Sequence, residues 1–216
     1  MIAERKRSYP QEEGEVRLFF EDEAIFGRIS KISGCWCAAG TRPSIPQQMV
    51  REHRTVFGAV EPLTGELFYM IEAPKRKPPP KKMGRPKKGV RKKKPKPEAK
   101  GEKSRSMNVF MQKLADAYPK DRIVLVCDNA WWHKSRYTKT PEKTTLAFIP
   151  PYTPEMNPIE QIWRELRTVG FANKYYKTIQ EVEDAIHLTI SALTKETIMS
   201  ITQRNWIMNA VKSNAS

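Results

Sequence analysis

Arg-Ile-Val-Leu-Val-Cys-Asp-Asn-Ala-Trp-Trp-His-Lys, residues 122–134, holds an apolar run from Ile123 to Cys127 that ends on one carboxylate, Asp128. A short continuous apolar run of this kind fits a strand buried on both faces, as in a parallel sheet, better than an alternating surface strand. Downstream, Phe-Ile-Pro-Pro-Tyr-Thr-Pro-Glu-Met-Asn-Pro-Ile-Glu-Gln-Ile-Trp-Arg-Glu-Leu, residues 148–166, is a Pro-rich turn opening a helix. Asn157 suits the cap, Pro158 the first helical position, and Ile159, Ile162, Trp163 and Leu166 form the apolar stripe. Glu160 falls in the first turn. It is either the glutamate of a capping box or, paired with Asp128, part of a divalent-metal site.

Outward from these stretches, Val16, Leu18 and Phe20 alternate with Arg17, Phe19 and Glu21, which predicts a strand carrying Asp22 on the Val-Leu-Phe side. Glu21 and Glu23 then point the other way. Asp22 is either a third metal ligand or one of three solvated acids at a strand end. Ile25–Ile32, Gly34–Gly40, His53–Val60 and Glu66–Ile71 read as short β segments of an antiparallel meander. Cys35 and Cys37 would share a strand face as buried thiols, since one Cys-x-Cys is a weak metal signal. Helical periodicity at Met107–Tyr118 precedes the buried strand, and Thr144–Ile149 supplies another strand, so the second half is parallel α/β. The expected fold is an α/β mixed sheet, antiparallel meander plus parallel strands, flanked by helices. A capping box at Thr178–Glu181 opens one packing helix, and a second runs from about Lys195 to Val211.

The net charge of +15 is local. Residues 75–105 hold 16 Lys and Arg against two acids, which leaves the rest nearly neutral. Rich in Pro and poor in apolar side chains, residues 74–105 cannot offset their ordering entropy and are expected to be a disordered insertion. Residues 1–15 are expected to be a flexible lead-in, with 16–73 and 106–216 forming one domain. A mobile cationic tract attracts nucleic-acid phosphates by counterion release. Its candidate DNA contacts are Lys81, Lys82, Arg85, Lys87, Lys88, Arg91, Lys92, Lys93 and Lys94. Lys-Lys-Met-Gly-Arg-Pro-Lys-Lys at 81–88 partly resembles an AT-hook, and a generic polybasic linker is the plainer reading. Three cysteines make no disulfide framework, and no stretch resembles a signal peptide or a membrane span, so a cytoplasmic, DNA-associated protein is expected.

Asp22-Glu23, Cys127-Asp-Asn-Ala130 with His133, and Pro151-Tyr-Thr-Pro-Glu-Met-Asn-Pro-Ile-Glu-Gln-Ile-Trp163 together resemble the mariner-like transposases and their bacterial insertion-sequence relatives. The resemblance runs from about Arg17 to Ile186. It implies a ribonuclease H-like fold and a catalytic, metal-binding triad of Asp22, Asp128 and Glu160. It further implies Mg²⁺ or Mn²⁺, two ions about 4 Å apart in the usual arrangement, acting on DNA at transposon ends and target, in a homodimer. Pooled carboxylates raise one another's pKa when no metal is present. Asn129, His133 and Asn157 are candidate supporting residues. Trp131 and Trp132 either stack on an unpaired base or pack in a loop. Relatives usually carry a helix-turn-helix region first, and nothing before Val16 suits one. The chain is therefore expected to be a catalytic portion, with a separately encoded end-binding partner. The rival functions are a nuclease of the same fold without strand transfer, and an inactive DNA-binding fragment.

Overall fold

The computed structural model describes residues 14–72 and 101–212. The candidate DNA contacts of the cationic tract lie outside the described residues. Five strands form one sheet in the order β3-β2-β1-β4-β5. These are β1 Val16–Ile29, β2 Met49–Glu61, β3 Glu66–Ile71, β4 Arg122–Cys127 and β5 Thr144–Phe148. The first three pair antiparallel, whereas β4 runs parallel to both β1 and β5. The mixed sheet is thus the one expected. The meander differs in detail: two long strands and one short strand replace a series of short pieces, because β1 and β2 stay paired from Phe20–Val60 out to Ile29–Met49.

Each sheet face has its own core, as the alternation along β1 requires. Phe19 points to a layer with Phe57, Leu125, Cys127 and the buried face of α1, Glu102–Ala117. Phe20, Ala24 and Phe26 point the other way, against Ile159, Ile162, Trp163, Leu166 and the C-terminal helices. Those helices are α2 Ile159–Glu165, extended by a wider π turn over Leu166–Phe171, then α3 Ile179–Ser191, α4 Lys195–Thr202 and α5 Asn205–Lys212. β4 is buried on both sides from Ile123 to Cys127, which is why its sequence shows no alternation.

Two boundaries and the placement of two cysteines depart from expectation. α1 begins at Glu102 with Ser104 buried, so the end of the tract expected to be disordered through residue 105 is the first turn of a helix. Cys35 and Cys37 are exposed and lie outside any strand, in the connection between β1 and β2, rather than buried on a shared face. The final helical run breaks at Gln203–Arg204 into α4 and α5. The Thr178–Glu181 capping box forms, with Glu181 N–H donating to Thr178 Oγ1 at 3.2 Å, but the glutamate reaches back to Lys177 N–H at 2.7 Å. No helix among the described residues is long and apolar enough to cross a membrane.

Candidate active site

The parallel pairing of β1 with β4 sets the site. Phe20 and Val126 are the last register partners of the two strands; Asp22 follows two residues further along β1, and Asp128 two residues further along the other chain, just past the end of β4. Asp22 lies on the Phe20–Ala24 face, under α2, where its Oδ2 accepts the indole N–H of Trp163 at 3.1 Å. Glu160 is one turn before Trp163 on that helix and so shares its face. Burial pushes the Asp22 carboxyl up to about 8, and the Glu160 charge is the next cause, followed by Glu23. That coupling brings Glu160 to Asp22.

Asp128 caps the end of β4. Its Oδ1 accepts Ala130 N–H at 2.9 Å and lies 3.2 Å from His133 Nε2. The His133 ring is buried, and burial lowers its pKa against the opposing pull of Asp128. The ring nitrogen thus lies beside the Asp128 carboxylate, at the end of β4.

Asn157 does something else than predicted. It is not the helix cap: Pro158 occupies that position, with no side-chain cap hydrogen bond. Its buried Nδ2 instead donates to the Glu21 carbonyl at 2.9 Å and ties the Pro-rich turn to β1 beside Asp22. Without a capping Asn157, the capping-box role for Glu160 lapses, and its carboxylate is left to the site. Asn129 is a brace, donating to the Ile149 carbonyl and accepting from Lys134. Trp132 packs in the loop and donates to Glu23 Oε1 at 3.2 Å, whereas Trp131 is exposed.

Two features escaped sequence reasoning. Glu23 was expected to point away from the site, and along β1 it does. However, Asp128 lies past the strand end, where the two faces are no longer separated, and its charge acts on Glu23. Burial first, then Asp128, raises the Glu23 carboxyl to about 7. The second is Gly58, the antiparallel partner of Asp22 on β2. A Cβ there would stand 2.5 Å from Trp163 Cη2. The glycine makes room for the ring that orients Asp22. A glycine inside a strand is the signal that would have found it. Gly58→Ala should destabilise the protein by about 1–3 kcal/mol through displacement of this ring, measured by denaturant unfolding; an unchanged midpoint would refute the close fit.

The raised carboxyls predict how stability varies with pH in metal-free protein. Asp22 titrates at about 3.9 in an unfolded chain and at about 8 here, so the folded state keeps a proton that the unfolded chain releases. Stability from this source is complete below about pH 4, declines as pH rises, and levels off above about 8. Glu23, at about 7, adds to the decline. The urea midpoint should therefore fall as pH is raised, and Asp22→Asn should flatten the slope. A midpoint that climbs with pH would contradict the buried geometry.

Asp22, Asp128 and Glu160 do not form a group with donor atoms within 4.8 Å of one another. Among the described residues, the group of three His, Cys, Asp or Glu with donor atoms within 4.8 Å of one another is instead Glu21, Cys127 and His133.

Residues 98–183 match the family described as DDE superfamily endonuclease, a span that contains Asp128, His133, Asn157 and Glu160. The chain is 34% identical over 85 residues to the uncharacterized protein y4pE/y4sA of Sinorhizobium fredii (strain NBRC 101917 / NGR234), covering 38% of this chain and 63% of that protein. Its fold is similar to that of the pre-cleavage Mos1 transpososome, with TM-score 0.59 and 11% identity over 100% of this chain and 60% of the other. It is also similar to the Mos1 transposase paired-end complex with left transposon end, with TM-score 0.58 and 12% identity over 93% and 55%. The chain thus spans less than two thirds of the relatives it matches. Residues 98–183 are thus similar in sequence to DDE superfamily endonuclease domains, and the fold of the chain is similar to that of the Mos1 transposase structures.

Proposed function

We propose that this chain is the catalytic domain of a DNA transposase, which hydrolyses a phosphodiester at a transposon end and joins the freed 3′-hydroxyl to target DNA. What supports the reading is the parallel pairing of β1 with β4, which ends two residues before Asp22 and Asp128, together with the Glu160 charge that helps to raise the Asp22 pKa. Asp22, Asp128 and Glu160 are assigned as the catalytic and metal-holding residues. Their fit to a hard divalent ion rests on chemistry: three carboxylate side chains offer an all-oxygen donor set that Mg²⁺ or Mn²⁺ satisfies. Two such ions, when bound, supply activation of the attacking oxygen and stabilisation of the leaving one.

The chain's own residues do the holding. Trp163 fixes the Asp22 carboxylate through its indole N–H, and Gly58 lets the ring sit there. His133 and the Ala130 N–H fix Asp128 from the other side. Asn157 clamps the turn that delivers Glu160. Each of these anchors removes rotamer freedom from an acid before substrate arrives, which is preorganisation of a charged site. No serine or tyrosine nucleophile is required. The cationic residues 81–94 are assigned to nonspecific grip on the DNA backbone, the active assembly to a homodimer, and end recognition to a separate helix-turn-helix partner.

The test offers the purified protein a pre-cut donor end with a free 3′-hydroxyl, a supercoiled target, and Mg²⁺ or Mn²⁺. Covalent donor–target products are the expected outcome. Nicking without joining would assign a nuclease of the same fold. DNA binding with neither product would leave a transposase-derived binding fragment.

A further inference from the structure

We propose that Glu21, Cys127 and His133 form a second, buried metal site, distinct from the carboxylate triad, that takes a thiolate-preferring divalent ion of the Zn²⁺ class. The three side chains come from β1, the end of β4 and the loop after it, and their donor atoms lie within 4.8 Å of one another. Glu21 and Cys127 are wholly buried and His133 nearly so. They lie on the α1 side of the sheet, beside Phe19 and Leu125, whereas Asp22 lies under α2.

The unsatisfied atoms are what point to a ligand. Both Glu21 carboxylate oxygens and His133 Nδ1 are buried without a hydrogen-bond partner among the described residues. A buried carboxylate left unpaired is costly enough that native structures pair it or use it to coordinate a metal. His133 resembles a metal-bound histidine in its surroundings: one ring nitrogen, Nε2, lies 3.2 Å from the Asp128 carboxylate, and the other, Nδ1, has no hydrogen-bond partner among the described residues. Charge also closes. A dication with one thiolate, one carboxylate and a neutral imidazole is neutral overall, which suits an apolar layer. The thiol and carboxyl protons leave to solvent as the ion enters. Sulfur and nitrogen in the donor set select Zn²⁺ or Co²⁺ over Mg²⁺, the reverse of the all-oxygen triad. Because His133 reaches both sites, an ion on Nδ1 would fix the ring that orients Asp128.

The proposal stands apart from DNA chemistry, so its test needs none. Full-length protein, stripped with a chelator, is titrated with Co²⁺ alone and followed by absorbance. One equivalent should give a thiolate-to-cobalt charge-transfer band that Zn²⁺ abolishes and excess Mg²⁺ does not. Cys127→Ser should remove the band, the exposed pair Cys35→Ser/Cys37→Ser should keep it, and Glu21→Gln should weaken binding on the order of tenfold or more. No band in folded wild-type protein overturns the site. So does a band lost in the Cys35→Ser/Cys37→Ser double variant, a measurement that does not depend on Cys127→Ser folding. A strand-joining protein that binds no Co²⁺ through Cys127 would lose only this site, and an inactive one that does would keep it.

Discussion

Asp128→Asn should reduce metal-dependent DNA cleavage and joining by on the order of 10³-fold or more, with little change in the unfolding midpoint. The carboxylate is half exposed at the end of β4, and its structural contacts are few: the Ala130 N–H and the His133 ring. An amide of the same shape still accepts both hydrogen bonds, so the loop stays in place. What it loses is the negative charge with which an oxygen donor holds a divalent cation. His133→Ala, which removes the orienting ring and leaves the acid, should cost less, about 10–100-fold. Full activity in Asp128→Asn, measured with a labelled donor end, would remove Asp128 from the site and the proposed function with it.

Trp163→Ala should be the most damaging single change to the fold. The ring is almost completely buried, stands edge-on to Phe26 at 6.0 Å between centroids, and fills the space left by Gly58. Truncation leaves a cavity between α2 and the sheet and costs about 3–5 kcal/mol, a large part of the about 5–15 kcal/mol that holds a typical domain together. It also strips Asp22 of its hydrogen-bond donor. Trp163→Phe separates the two effects, since it keeps most of the volume and drops the N–H. The phenylalanine variant should stay folded while losing cleavage activity; equal activity in Trp163→Phe and wild type would show that the indole N–H does not position Asp22.

Much of the fold was legible because burial leaves its mark on residue type. A strand covered on both faces must be apolar throughout, so Ile123–Cys127 announced the parallel half of the sheet. The alternation of Val16, Leu18 and Phe20 with Arg17 and Phe19 assigned Asp22 its face, and that assignment holds. Local rules failed where a distant partner took over a side chain. Asn157 has the composition of a cap, yet the Glu21 carbonyl, 136 residues away in sequence, claims its amide. Cys35 and Cys37 looked like interior thiols because nothing in their neighbourhood says that the connection between β1 and β2 leaves the core.

By itself, the sequence determined which residues are acidic, which strand is buried on both faces and which face Asp22 takes, since periodicity is a property of the local backbone. Only the tertiary structure decided who stands beside whom. The parallel register of β1 on β4 runs up to Phe20 and Val126, two residues short of Asp22 and Asp128, and the docking of α2 over Gly58 hands Asp22 its indole N–H. The folding-back of the loop after β4 sets His133 between Asp128 and the buried Glu21–Cys127 pair. These are long-range contacts, fixed by how layers pack and not by any run of neighbouring residues.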